Sequence, residues 1–410
     1  MTTPLGRRQG AVLFFSNGHG EDAVGATIAS ACRALAPHRP ILAAPIVGEG
    51  LSYRRHGFDI VVPTRAMPSG GLIGLADPRG LLADLRQGLV SLHVAQLRRL
   101  RAVAREVALV VGVGDRVSLL VARWLRLPLV WVAIADSVLL TGRIEGVWTA
   151  LDRLLMRRHT LRIFTRDEPS ARALAADGAP AAFVGNPMLD ALETTTQPWP
   201  PGLDGARPLI ALLPGSRETA YRNVALLLQA AHLLSARLGV AHVVAWPQRL
   251  SLAHLGETLE VTDWTLAPAD AARGMAGLLR HPSGLEVPVM VGRTGDVIIR
   301  SSLVMGMAGT AHEQAAGDGK PLVVCPAVGP PVTRELVRRQ GRLLGDAVRA
   351  VERDPQALAQ AAWDILNDPT LYRRMSEAGR SAMGPPGGAR RIAVEVLRLL
   401  EEKEPDRPGW

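Results

Sequence analysis

The sequence predicts an α/β protein made of two doubly wound, Rossmann-like domains that face each other across a cleft. Three observations carry this expectation. The chain has 410 residues, too many for one typical core. Short apolar runs alternate with amphipathic stretches at helical spacing. After a proline-, glycine- and threonine-rich stretch at 193–208, the order strand, glycine loop, helix begins again. The expected division is an N-terminal domain over 1–192, a linker over 193–208, a second domain over 209–384, and a C-terminal helix over 385–410 packing back on the first domain.

Each element follows from local pattern. The apolar run 11–15 ends in Ser16-Asn17-Gly18-His19-Gly20-Glu21-Asp22, after which Val24, Ile28, Cys32 and Leu35 recur at helical spacing. Strands are expected at 41–47, 59–62 (closed by Pro63), 109–113, 129–134 and 161–165. A long helix is expected over 81–106, broken at Gly88 and carrying Arg86, Arg98, Arg99, Arg101 and Arg105. In the second half, strand 209–213 leads through Pro214-Gly215-Ser216-Arg217 to a helix with Val224, Leu227, Leu228, Ala231, Leu234 and Leu238 on one face. Further strands are expected at 241–245, 287–291, 297–299, 303–307 and 322–325, followed by helices to 401 with a break at 384–388. Two such halves place a ligand cleft between their facing loops.

Composition narrows the function classes. Apolar residues make up 48% and charged residues 21%, as in a globular protein in water. The net charge is +9, and all 47 basic residues except Lys320 and Lys403 are arginine, which favours anionic partners. With 4% aromatic residues and no helix-turn-helix, zinc-finger or RNA-binding signature, nucleic acid is not the expected partner. Cys32 and Cys325 lie in apolar segments, which argues against a disulfide framework and for a cytoplasmic location. The run after Arg7-Arg8 is too short for a secretory signal, and no stretch reaches the roughly 18 apolar residues of a spanning helix. Any membrane contact is therefore expected to be peripheral, on the inner face. The stretch 66–92 is apolar and glycine-containing, and an arginine-bearing helix follows. That pattern suits a headgroup interface or a lipid substrate. A core-facing helix with a solvated outer face is the commoner source of such a pattern.

The stretch 298–326 organises the rest. Gly309 permits a sharp turn and close ligand approach, Thr310 and Glu313 fit a capping box, and the free N–H groups of that helix at a strand's carboxyl end suit an anion. The competing reading is an ordinary βαβ crossover. In LLPGSR, Gly215 and Ser216 are expected to open a helix whose N–H groups bind phosphate, with Arg217 neutralising it. A surface arginine beside a capping serine is the alternative.

The first loop, GHGEDA, formally fits the dinucleotide pattern G-x-G-x-x-A. Glu21 and Asp22 would repel a pyrophosphate there, so Asn17, Gly18 and Gly20 are expected to border a neutral, hydroxyl-bearing ligand instead. His19 is either its base or a loop histidine bonded to backbone. Asp115, just past strand 109–113, is either a cleft-facing base or the N-cap of the next helix. Asp136 has a similar position. No Asp-x-Asp motif and no His/Cys cluster with ligand spacing occurs, so neither metal nor cofactor is expected.

These motifs resemble the GT-B glycosyltransferases, and among them the lipid-A-disaccharide synthases and their relatives. LLPGSR looks like that family's C-domain signature and GTAHEQAAGDGKPLVV, from Gly309, like its donor-binding segment. VGNPMLD, ending at Asp190, looks like the segment closing its N-terminal domain, and VGVGDR holds Asp115 where the family carries a proposed catalytic aspartate. The first loop departs from the synthases' glycine-glutamate-alanine-serine type. Gln314 stands where relatives hold the nucleotide ribose with Glu, and Glu313 lies one residue earlier, so either one is the ribose contact. The resemblance implies transfer of a sugar, of N-acetylhexosamine type, from a UDP-sugar substrate to a lipid or lipid-linked hydroxyl, with inversion. A UDP-sugar 2-epimerase and a noncatalytic nucleotide-sugar or lipid-binding protein are the alternatives on the same scaffold. An NAD-dependent oxidoreductase rests on GHGEDA alone.

Overall fold

The computed structural model describes residues 10–65, 85–203, 205, 207–268, 274–328 and 332–403, and all counts refer to those residues. The chain divides into two units, one combining the residues up to Ala191 with those from Pro386 onward, the other running from Leu192 to Pro385.

The first unit is built on a seven-stranded sheet: β1 (Ala11–Ser16), β2 (Ile41–Pro45), β3 (Asp59–Ile60), β4 (Val107–Val113), β5 (Leu129–Ala133), β6 (Arg162–Thr165) and β7 (Ala181–Ala182). The order is β3-β2-β1-β4-β5-β6-β7, with every pairing parallel. β1 and β5 are buried at every position, as expected where helices cover both faces of a parallel sheet. The chain leaves β1 toward β2 on one side and returns to β4 on the other, so the strand order reverses at β1/β4. Loops at the carboxyl ends of such a switch point are where α/β sheets bind ligands.

Leu13, Phe15, Leu119, Trp131, Trp148 and Met156 form the centre of this unit's core. Each such side chain contributes about 1.5–3 kcal/mol through burial. The Trp131 indole donates to the Gly114 carbonyl at 3.2 Å, which satisfies a buried N–H and holds the residue before Asp115. The terminal helix Gly388–Lys403 packs on helix His19–Leu35. Asp190 anchors its start, accepting from Gly387 N at 2.6 Å and Ala389 N at 2.7 Å.

The predicted helix break is at Gly88, whose φ is +87°, and the helix runs from Leu89 to Val103. Of the apolar stretch 66–92, residues 66–84 lie outside the described residues. Among the described residues no helix is long and apolar enough to cross a membrane. Cys32 and Cys325 are free and buried.

The second unit has eight strands: β8 (Leu209–Leu213), β9 (Ala241–Trp246), β10 (Thr265–Ala267), β11 (Gly277–Arg280), β12 (Glu286–Val291), β13 (Leu303–Gly306), β14 (Leu322–Val324) and β15 (Val348–Ala350). Their order is β10-β11-β12-β9-β8-β13-β14-β15, parallel except for the β10-β11-β12 meander. Here the order reverses at β8/β13.

The run 297–299, expected as a strand, lies instead in helix Thr294–Arg300. Three consecutive apolar residues do not separate the two states. The helix opens on an ion pair from Arg293 Nε, at its N-cap, to Asp296 Oδ2 in its first turn at 2.7 Å. The start of the proline-rich stretch is bonded to this unit. Thr195 N and Oγ1 donate to the two oxygens of Asp296 at 2.9 and 2.6 Å, and Arg293 donates to the Pro198 carbonyl at 2.8 Å.

Candidate active site

In the first unit, the switch point brings Asn17, after β1, to Asp115, after β4. The Asn17 amide donates to Asp115 Oδ2 at 2.8 Å, and Val117 N donates to Asp115 Oδ1 at 2.9 Å. One Asp115 oxygen thus accepts from the opening turn of helix Val117–Leu125, whose N-cap residue is Arg116 rather than Asp115, and the other accepts from the loop after β1. Glu21 packs so closely on Gly114 that a Cβ there would stand 2.5 Å from Glu21 Cγ, and a Cβ at Gly18 would collide with the Glu21 carboxylate. Gly114 also has a φ of +108°, so two separate demands select glycine before Asp115.

His19 opens helix His19–Leu35 and is exposed. Its ring fills the space over Gly48 that a side chain there would occupy, and the Gly48 φ is +76°. Neither Gly48 nor the packing of Glu21 was legible in local pattern.

Asp22 does not face the loop beside Glu21 as the sequence predicts; it is 1% exposed and turned into the core. Its Oδ1 accepts from Ser16 Oγ at 2.6 Å, and Ser16 Oγ lies 3.1 Å from the Tyr53 hydroxyl. Burial, opposed by the Ser16 bond and reinforced by Glu21, pushes the Asp22 carboxyl up to about 7. Only Glu21 of the two carboxylates borders the loop. Asp136 is occupied structurally: Arg116 bridges it at 3.6 Å and Asp152 at 2.9 Å.

In the second unit, the loops after β8 and β13 meet at the other switch point. Gly215 has a φ of +104°, and a Cβ there would be 2.9 Å from the Met307 carbonyl oxygen. The expected helix start at Gly215-Ser216 is displaced: residues 216–219 form a bend and turn, and the helix is Ala220–Ser235. Arg217 is half-buried, and its guanidinium is held below its ordinary pKa by burial and by Arg249. Arg249 Nε donates to the Ser216 carbonyl at 2.7 Å.

Helix Thr310–Gly317 forms as expected, with Gly309 and Thr310 exposed at its start and Glu313 and Gln314 half-buried. The capping box does not form: the N-cap is Gly309 and no side chain caps the helix. A ring of bonds to a buried histidine holds this loop instead. Ala308 N donates to His312 Nε2 at 3.4 Å, His312 Nδ1 lies 3.4 Å from Gln340 Oε1, and Gln340 Nε2 donates to the Ala308 carbonyl at 2.9 Å. Burial lowers the His312 pKa to about 4, so the ring is neutral at pH 7, with one nitrogen accepting and the other donating. Space beside Gly309 is open: a Cβ there would meet no protein atom within 4 Å. Asn223 and Arg353 tie the loops further, Asn223 donating to the Pro214 carbonyl at 2.9 Å and Arg353 to Asn223 Oδ1 at 3.1 Å. Among the described residues no group of three or more His, Cys, Asp or Glu is placed to hold a metal ion.

Two doubly wound units with loops gathered at their switch points define the GT-B type of fold, and solved structures agree. S. aureus MnaA, solved with UDP, matches with a TM-score of 0.60 and 15% identity over 97% of this chain and 99% of that one. The calicheamicin glycosyltransferase CalG4 matches with a TM-score of 0.57 and 19% identity over 97% of this chain and 100% of that one. By sequence, the chain is similar to lipid-A-disaccharide synthases. It is 28% identical to that of Trichlorobacter lovleyi over 249 residues, 55% of this chain and 59% of the relative. It is 27% identical to that of Geobacter metallireducens over 285 residues, 64% and 66% respectively. The match thus spans less than two thirds of these relatives. No protein-family model matches the chain.

Proposed function

We propose that this protein is a glycosyltransferase moving a sugar, of N-acetylhexosamine type, from a UDP-sugar to a lipid or lipid-linked hydroxyl with inversion. The observation that carries the reading is the close approach of Gly215 to the Met307 carbonyl, which sets the Arg217 loop beside the Gly309-Thr310 helix start. Backbone N–H groups and a guanidinium carried on adjacent loops suit a diphosphate leaving group. In this reading Gly215, Ser216 and Arg217 hold one side of the diphosphate and Gly309 and Thr310 the other, while Glu313 or Gln314 holds the ribose.

The loop of Asn17, Gly18 and Gly20 receives the acceptor hydroxyl, and Asp115 or His19 takes its proton. The acceptor oxygen then bonds to the anomeric carbon from the face opposite UDP. The bond from that carbon to the phosphate oxygen breaks, and UDP leaves with the electron pair. Screening UDP-sugars by thermal shift, followed by a transfer assay with membrane extract and the best binder, tests the reading. Binding of a UDP-sugar with no sugar transferred to any lipid acceptor overturns it.

Likeness in fold to a UDP-GlcNAc 2-epimerase from Neisseria meningitidis keeps a UDP-sugar 2-epimerase as the second reading. Incubation with a UDP-sugar and no lipid separates the two, because only the epimerase returns an isomerised sugar nucleotide.

Peripheral contact with a membrane belongs to the same proposal. Helix Leu89–Val103 exposes Val90, Val94 and Leu97 along one face, and helix Val117–Leu125 exposes Leu120 and Trp124. Arg101 sits over the Trp124 ring at 5.6 Å, beside a surface cavity of about 580 Å³ that Arg105, Arg123 and Arg126 also line. Apolar side chains interleaved with arginine suit an anionic headgroup layer. Co-sedimentation with vesicles containing anionic lipid, lost in Trp124→Glu, is the expected result. Equal sedimentation of both forms removes this face from the proposal.

A further inference from the structure

We infer that Arg249, which no sequence motif singles out, is a second phosphate-binding cation of the donor site and acts with Arg217 on a nucleoside diphosphate. This inference rests on the donor half of the proposed function and extends it. Arg249 follows β9, the parallel neighbour of β8, so the sheet delivers its loop next to the loop carrying Arg217. Its guanidinium is aimed: Nε and Nη2 both donate to the Ser216 carbonyl, the residue between Gly215 and Arg217. That fork uses one edge of the guanidinium and leaves the Nη1 donors for another acceptor.

Neither arginine is paired with a carboxylate among the described residues, although the two are close enough that Arg249 disfavours the charge on Arg217. Holding two like charges together beside a half-buried loop costs free energy unless an anion of matching charge sits between them. A diphosphate supplies that charge and accepts bidentate bonds from the planar forks. A free phosphate or pyrophosphate shares the chemistry, so the nucleotide has to be distinguished by its base.

Bracing the Ser216 carbonyl is the competing role for Arg249, and phosphate count separates the two. Affinities for uridine, UMP, UDP and inorganic pyrophosphate are measured by calorimetry on the full chain, for the wild type, Arg249→Met and Arg249→Lys, with melting curves confirming that each variant is folded. A cation acting on phosphate predicts unchanged uridine affinity, a loss growing from UMP to UDP, about 10–100-fold for UDP and pyrophosphate in Arg249→Met, and partial recovery in Arg249→Lys. Equal losses for uridine and UDP, no loss at all, or a wild type that binds neither UDP nor pyrophosphate would overturn the inference. UDP bound through Arg249 with no sugar transferred in any assay would leave it standing and remove the transferase reading. Sugar transfer undiminished in Arg249→Met, with UDP affinity unchanged, would do the reverse.

Discussion

The side-chain amide of Asn17 donates to Asp115 Oδ2 at 2.8 Å, joining the carboxyl ends of β1 and β4 across 98 residues of sequence. This bond, together with the one from Val117 N, fixes the direction of the Asp115 carboxylate. Asp115→Asn is expected to abolish sugar transfer while leaving UDP affinity nearly unchanged, because the proposed reaction puts the carboxylate on its acceptor side. Turnover assays paired with UDP titration check this, and undiminished turnover removes Asp115 from the mechanism. Asn17→Ala is expected to lower kcat about 10-fold with little change in the UDP-sugar KM, by freeing the carboxylate to rotate.

Asp22 makes stability depend on pH. Its carboxyl is at about 7 in the folded chain, against roughly 3.9 in an unfolded one. The folded state therefore binds the extra proton between these values. The stability gained from the neutral acid is fully present below the unfolded pKa and is lost as pH rises through 7. Denaturant unfolding from pH 5 to pH 8 is expected to show the wild type losing on the order of a few kcal/mol relative to Asp22→Asn. Parallel curves for the two proteins would mean that Asp22 does not titrate in that range.

Gly215 is selected twice, by a φ of +104° and by the nearness of the Met307 carbonyl. Gly215→Ala is expected to cost roughly 1–3 kcal/mol of stability and to weaken UDP binding at least 10-fold, because the new methyl group separates the two loops. Chemical denaturation and UDP titration of the variant measure the two effects. Intact UDP affinity would show that the donor does not need both loops in contact.

The buried pair His312–Gln340 holds Ala308 through both its N–H and its carbonyl. Gln340→Leu leaves that carbonyl without its amide donor, at about 1–3 kcal/mol. The expected outcome is a raised KM for the UDP-sugar with a smaller change in kcat, since the proposed function assigns the loop to donor binding. A fall in kcat alone would assign the pair another role.

Asp190 caps the start of helix Gly388–Lys403 through bonds to Gly387 N, 197 residues later in the chain, and Ala389 N. Asp190→Ala is expected to cost roughly 1–2 kcal/mol and to lower Tm by a few degrees without altering UDP affinity. Scanning calorimetry with UDP titration tests both parts. Unchanged Tm would mean that the helix Gly388–Lys403 holds by packing alone.

Much of the architecture can be read along the chain. Runs such as AVLFFS and LIALL are buried at every position, and their composition alone marks strands covered on both faces. Glycine after such a run marks a loop at a strand end, which places Asp115, Arg217 and Thr310 each at the loop end of an element. Local pattern failed where two states share one signal: 297–299 is helical, and Thr310 does not cap its helix. What only the tertiary structure decided is pairing. Arg249 gripping Ser216, Gln340 reaching Ala308 and Asp190 capping Gly387 leave no mark in any local window. The physical reason is that hydrophobic periodicity and backbone propensity act over a turn or a strand. Which polar side chains meet depends on the order in which the strands pair in the sheet, set by the packing of the whole unit.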